Sequence, residues 1–380
     1  MAKPDMEEKP YGGQHPAKSG QMRQHQPSNF HGGSMFAIDP DDNVYSVFKI
    51  GKIVDCLKAE GVPLQAALQG IRISEAELTS PMTKVSVNQI LQSYKNALKF
   101  SQNPSFAFEV GSNFHVSTFG IYGLALLSGT DFRQTVAFSQ QYYQLTAPLV
   151  DVTFEEQDAL AIWCITVLPF TSLDDALRDF IIELQFSALL CAHRDVMGAD
   201  FCLTQVQLQA RRPISGARLA EQFGCEILYE QPKNRLLFPV EWLDKKPALG
   251  NSVTYAHVAQ ICNDLLTELE QNMGVAGKVR QVLLGTLESP PGAKTLARQL
   301  GLSPRSLRRR LQEENTSYRA LIDDLRAQTA ISYLRDTRLT VETIAALLGF
   351  SDPGAFRYAF KRWTKTTPNA FRRSGANPGC

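Results

Sequence analysis

Between Val44 and Phe100, apolar residues recur every three to four positions. Val47, Ile50, Ile53, Val54 and Leu57 fall on one helical face, and Gly61 with Pro63 ends that helix. The spacing predicts further helices over 87–100, with Ile90, Leu91, Tyr94 and Leu98 apolar, over 119–128, and over 131–145 with Asp131 as N-cap. The period then changes to two. Residues 149–154 and 159–167 read as the strands of a hairpin turning at 155–158. A long helix is expected over 173–197, then alternation over 203–209 and short strands near Ile227 and over 236–238. This predicts an α+β domain over 36–250, large enough for its own core. Residues 251–274 read as a helix that either connects domains or pairs with a second subunit. From 275 to 375 only short helices are expected: 275–287, 293–300, 304–314, 318–335, 341–348, 353–364 and a last turn at 368–373.

The composition, 44% apolar and 20% charged, is that of a globular protein. The longest mostly apolar run, 159–170, is too short for a membrane span, which needs about 20 residues. The N-terminus lacks the apolar stretch of a secretory signal. Residues 1–35, rich in Gly, Pro, Gln, Lys and His, are expected to form a disordered extension, with His15, His25 and His31 too sparse for a metal site. Met35 offers an alternative start. The seven cysteines, an odd number without any CxxC, read as free thiols in a reducing cytoplasm.

Charge changes the picture. From Pro290 onward there are 16 Lys and Arg against 7 Asp and Glu, net +9, while residues 1–289 are net −8. A basic C-terminal quarter on an acidic body points to a polyanion-binding module joined to something else.

That quarter contains a repeat. Leu296-Ala297-x-x-Leu300-Gly301-Leu302-Ser303 recurs 48 residues later as Ile344-Ala345-x-x-Leu348-Gly349-Phe350-Ser351. Pro304 and Leu307 match Pro353 and Phe356 after one extra residue, Asp352. Each copy reads as helix, Gly in the left-handed conformation, capping residue, Pro at the first helical position, second helix. That is a helix-turn-helix, and two copies suit successive major grooves about 34 Å apart. With Leu307 and Leu311 inward, Arg305, Arg308, Arg309 and Gln312 share the outer face, and Ser306 is placed with them as a DNA-contacting residue. With Phe356 and Phe360 inward, Gly354, Arg357, Tyr358 and Lys361 are outward. Arg fits guanine edges bidentately and also neutralises phosphate.

Residues 276–374 resemble the DNA-binding domain of the AraC/XylS-type regulators, two helix-turn-helix units joined by a long helix. The likeness is carried by the repeat and by Phe356-x-x-x-Phe360-Lys361-Arg362-Trp363 with Pro368-x-x-Phe371-Arg372. It implies sequence-specific transcription regulation, as an activator that recruits RNA polymerase to promoter DNA. It also implies base contacts from Arg305, Arg308, Arg309, Gly354, Arg357 and Tyr358. Asn315 and Lys365 stand where the family usually has Gly. Asn tolerates the left-handed conformation, whereas a left-handed Lys costs roughly 1 kcal/mol unless the turn differs locally.

Phe119-Gly120-x-x-Gly123-x-Ala125-x-x-Ser128 and the residues up to Leu145 resemble the N-terminal domain of the subgroup that includes the ornithine-utilisation regulators, often termed arabinose-binding-like. The sugar is not implied, because the segment does not read as a small β-barrel. The resemblance implies a sensor of an unidentified small molecule. Gly120 and Gly123 read as close helix packing rather than a phosphate loop. His115, Tyr122, Tyr142, Tyr143 and Trp163 are pocket candidates against ordinary packing, and Arg178 or Arg194 are candidates for an anionic effector. No HExxH, GxSxG or Walker pattern occurs, so no catalytic residue, metal or cofactor is expected and the chain reads as a regulator rather than an enzyme. The alternatives are an N-terminal domain that only dimerises and an N-terminal enzyme with accessory DNA binding.

Overall fold

The computed structural model describes residues 40–168, 173–211, 216–271, 274–284, 286–337 and 339–376; the expected N-terminal extension lies outside them. The chain opens with β1 (Tyr45–Ser46), α1 (Phe48–Ala59), α2 (Leu64–Ala67), α3 (Glu75–Leu78), β2 (Lys84–Val85) and α4 (Val87–Phe100). Next come α5 (Phe106–Ser112), α6 (Ile121–Ser128) and α7 (Phe132–Tyr142), then the hairpin β3 (Val150–Gln157) and β4 (Leu160–Val167). The helix α8 (Asp175–Met197), β5 (Gln205–Gln207), α9 (Gly216–Phe223), β6 (Glu226–Leu228), β7 (Asn234–Pro239) and α10 (Ser252–Gln271) complete this part. One sheet runs β3-β4-β7-β5-β6, antiparallel except for the β5–β6 pair, and β1 pairs with β2.

The fold class is as read from the sequence, an α+β part followed by an all-α part with two helix-turn-helix units. The predicted apolar face of α1 is buried from Val47 to Leu57, and Asp131 caps α7 by accepting the Gln134 N–H at 2.8 Å. Several expectations need correction. Leu98 is 43% exposed, and Ala97 points inward in its place. The hairpin turns at Asp158-Ala159 with Asp158 at φ 54°, so Glu155 and Glu156 belong to β3, opposite Ile162 and Ala161. There they pair with Arg235 and Arg133. The short helices α2, α3, α5 and α9 were not predicted, because none spans enough turns to show a period.

The helix expected over 251–274 is present as α10, over 252–271. It packs on α6 and α7, and its Val258 and Cys262 are buried in the same cluster as α1, α4 and α8. A second copy would have to meet its other side, where Val253 and Leu265 are exposed. The glycine pair holds its packing role at Gly123, where a Cβ would lie 1.7 Å from the Val116 carbonyl oxygen.

The C-terminal helices are α11 (Val275–Leu284), α12 (Ala293–Gln299), α13 (Pro304–Glu313), α14 (Tyr318–Asp336), α15 (Val341–Leu347), α16 (Pro353–Thr364) and α17 (Pro368–Ala376). Their buried side chains form two clusters, one around Leu296, Leu307, Leu311 and Leu325, the other around Ile344, Leu348, Phe356 and Phe360. The helix α14 contributes to both. Glu314 ties the module together by accepting the Val275 and Ala276 N–H groups at 2.8 and 2.7 Å, which satisfies two free donors at the start of α11.

Candidate DNA interface and effector pocket

The two turns are built alike. Gly301 and Gly349 adopt φ of 66° and 69°. The next residues close the turn by donating N–H bonds back, Leu302 to the Ala297 carbonyl at 2.8 Å and Phe350 to the Ala345 carbonyl at 3.0 Å. Ser303 caps α13 by accepting the Ser306 N–H at 3.0 Å, and Asp352 caps α16 by accepting the Ala355 N–H at 2.8 Å. Pro304 and Pro353 open the helices. Asn315 and Lys365 are left-handed at φ 54° and 62°, so the turn after α16 keeps the family geometry at the cost of a strained Lys.

Leu307, Leu311, Phe356 and Phe360 are buried beneath the two helices. Arg305, Arg308, Arg309 and Gln312 on α13, and Gly354, Arg357, Tyr358 and Lys361 on α16, are exposed together, with Tyr358 76% accessible. Their states differ. Arg309 faces Glu313 at 3.6 Å, and Arg357 donates to Glu342 at 2.6 Å. Arg305 and Arg308 have no partner among the described residues. The Ser306 hydroxyl is engaged with the Ser303 hydroxyl at 2.8 Å, which makes it part of the cap. The long α14 carries Arg326, which donates to the Gly349 carbonyl at 3.1 Å and stacks on Phe350, locking the second turn.

In the α+β part, the pocket candidates do not converge. Trp163 is fully buried in β4, packed on Phe154, and its indole N–H donates to His193 Nε2 at 3.2 Å. Tyr142 is buried against Phe138, and Tyr143 donates its hydroxyl to Asp151 at 2.7 Å beside a shallow surface cleft. His115 is exposed. It pairs with Asp195 at 3.0 Å and lies 3.5 Å from the Cys191 thiol. Those three donor atoms lie within 4.8 Å of one another and are the one metal-competent group among the described residues. Each already has a protein partner: the thiol donates to the Ser112 carbonyl and Asp195 accepts the Val116 N–H. Neither Arg178 nor Arg194 lines the cavity described next, and Arg194 reaches the Phe201 carbonyl instead.

Of these candidates, Tyr122 lines a partly open cavity of about 50 Å³ between α1, α6, α7 and α8. Phe114, Phe119, Leu126 and Val196 make its apolar wall, and Thr135, Ser139, Thr146 and Gln185 add polar groups. Burial pushes the Tyr122 phenol up to about 12, and Ser139 and Thr146 lie beside its hydroxyl. His193 also lines the cavity, where burial lowers its imidazole to about 3. With Nε2 accepting from Trp163, it is neutral and protonated at Nδ1. The unexpected member is Lys49, 7% exposed, with burial lowering its amine to about 7. Lys49 stands one residue before Ile50, at the edge of the apolar stripe of α1. Phe114 and Phe119, from elsewhere in the chain, line the cavity beside it, which the periodicity of α1 could not show.

Two helix-turn-helix units with basic outer faces, carried by an α+β domain, define a DNA-binding transcription regulator. Known proteins agree. Residues 61–247 match the arabinose-binding N-terminal domain of AraC transcription regulators, and 296–374 match a helix-turn-helix domain. The chain is 30% identical over 323 residues to an ornithine utilization regulator of Pseudomonas aeruginosa, covering 85% of this chain and 94% of that protein. It is 27% identical over 357 residues to an uncharacterized HTH-type transcriptional regulator of Mycobacterium tuberculosis, covering 88% and 98%. The crystal structure of the regulator CdpR from Pseudomonas aeruginosa aligns over 87% of this chain and all of that one, at 22% identity and a TM-score of 0.47. The chain belongs to the AraC-type transcription regulators with an arabinose-binding-like N-terminal domain. No described helix is long and apolar enough to cross a membrane.

Proposed function

We propose that this regulator is controlled by a small molecule bound in the cavity of its α+β part. The observation that carries this reading is the cavity itself, apolar-walled with a few convergent polar groups. Tyr122 and Leu126 put α6 in its wall, α6 packs on α10, and the chain runs from α10 into α11 of the DNA-binding part. A ligand that moves α6 therefore acts on the element leading to the DNA-binding helices, and shifts the balance between two arrangements of them. Recruitment of RNA polymerase to an adjacent promoter is the output this implies. The test is a salt-controlled DNA-binding assay of the full chain on its own upstream region, with and without a metabolite panel. A panel that leaves both DNA affinity and melting temperature unchanged overturns effector control and favours a domain that serves only for contact.

For DNA we assign base reading to Arg305, Arg308, Arg309 and Gln312 in one groove and to Gly354, Arg357 and Tyr358 in the next, with Lys361 on phosphate. Arg357 must give up its pairing with Glu342 to reach a base. Arg309→Ala is expected to cost about 1–3 kcal/mol on the specific site and to relax preference at one base position. Lys361→Ala is expected to weaken binding evenly across sequences and to reduce the salt slope by roughly one. Titrations on specific and scrambled sites at several salt concentrations separate the two effects. An even loss across sequences from Arg309→Ala removes it from direct readout.

A further inference from the structure

We propose that the cavity beneath α1 takes a small aliphatic monocarboxylate whose carboxylate pairs with the Lys49 side chain, and that it does not take an amino acid. This rests on reading the cavity as the effector site. Lys49 is 7% exposed and lines the cavity, its amine keeps a little accessible surface, and no hydrogen bond or ion pair to that amine is found among the described residues. A lysine is almost never buried to this degree unless something pairs with it, because its ammonium loses its water shell. Burial is the sole cause that lowers its basicity, with no charged neighbour contributing. The missing partner is therefore an anion from outside the chain. A carboxylate supplies that charge and still has acceptor positions for the hydroxyls of Tyr122 and Ser139.

The rest of the ligand must be apolar and uncharged. Phe119, Leu126 and Val196 face the cavity, and among the described residues no Asp or Glu lines it. The α-ammonium of an amino acid would be buried without a counter-charge, as costly as the lysine it was meant to relieve. The named role of the ornithine relative thus does not carry over to this cavity. Size points the same way. The cavity is about 50 Å³, a third of the roughly 150 Å³ that accommodates benzene in an engineered protein cavity. A carboxylate bearing two or three further carbons matches it.

The test uses the full chain and three probes of nearly equal shape, propionate, propionamide and alanine, with butyrate and butyramide as a longer pair. Melting temperature and calorimetric affinity are measured at matched ionic strength in buffers that contain no carboxylate. The carboxylates are expected to raise the melting temperature of the wild type, the amides and alanine to leave it unchanged, and Lys49→Met to lose at least tenfold in carboxylate affinity. The comparison of carboxylate with amide in the wild type stands even if the variant fails to fold. Equal binding of amide or alanine, or undiminished carboxylate affinity in a folded Lys49→Met, overturns the anion assignment while the cavity remains a ligand site. No response to any of the probes, together with a metabolite panel that also gives none, removes the cavity as the effector site and this inference with it.

Discussion

Gly349→Ala is expected to unfold the second helix-turn-helix unit, while Gly301→Ala at the matching position of the first is tolerated. Both glycines are left-handed, at φ 69° and 66°, so each substitution costs about 1–2 kcal/mol of backbone strain. Their surroundings differ. A Cβ on Gly301 meets nothing within 4 Å. A Cβ on Gly349 would lie 2.4 Å from the Glu288 carbonyl oxygen and 2.8 Å from that of Leu287. These are backbone atoms that cannot rotate away. Overpacking of this kind adds about 1–3 kcal/mol, so the total approaches what a subdomain of this size can lose. The same shift disturbs the bond from Arg326 to the Gly349 carbonyl and the packing of Phe350 beneath the turn. Hydrogen exchange resolved along the chain is the measurement. Protection over 341–364 is expected to collapse in Gly349→Ala, with loss of specific DNA binding. In Gly301→Ala, protection over 293–313 should fall only slightly. Equal losses at the two sites would show that backbone strain, and not the approach of the 287–288 segment, sets the cost.

The contrast also explains what could be read from the sequence. The C-terminal part was legible almost to the residue because its signals are local. A left-handed Gly, a capping Ser303 or Asp352, a Pro at the first helical position and an apolar pair one turn apart each act within a few residues. They agree with one another, and the repeat states them twice. What distinguishes Gly349 from Gly301 is a segment about 60 residues earlier in the chain, which no local pattern reports. The α+β part shows the same limit more strongly. Trp163 and Tyr142 looked like pocket aromatics, since residue type alone cannot tell a packed ring from a ligand-facing one, and Trp163 meets His193 across the core instead. His115 was singled out for its chemistry and proved to tie the turn before α6 to the end of α8. Nothing in the sequence marks Lys49, because a charged residue beside an apolar stripe usually snorkels to water. In this fold Phe114 and Phe119, whose rings pack around Phe48, line the same cavity as Lys49.

Lys49→Met is expected to stabilise the α+β part, by an amount that depends on pH in a way no surface lysine would show. Burial lowers the Lys49 amine to about 7, while in the unfolded chain it has its ordinary value near 10.5. Below pH 7 both states hold the proton, and the folded state bears the cost of an ammonium largely stripped of water and without a protein partner. Between pH 7 and 10.5 the folded state has released the proton and the unfolded state has not. The unfolded state then binds more protons, so stability rises with pH, by up to about 1.4 kcal/mol per unit. Methionine, similar in length and uncharged, bears no such cost. Its advantage is greatest below pH 7 and shrinks above it, by about 2 kcal/mol between pH 7 and 9. The other titratable groups lining the cavity, His193 and Tyr122, are present in both proteins, so their contributions cancel in the difference. No charged group on α2, α3, α4 or α5, the helices packed on α1, contributes to the Lys49 shift. Denaturant unfolding of both proteins at pH 6, 7, 8 and 9 in amine and phosphate buffers gives the difference directly. A constant gap between the two proteins would mean that the amine reaches water in the folded state. A gap that closes as pH rises, and that closes at pH 6 on adding a saturating carboxylate, would trace both effects to one buried charge awaiting its partner.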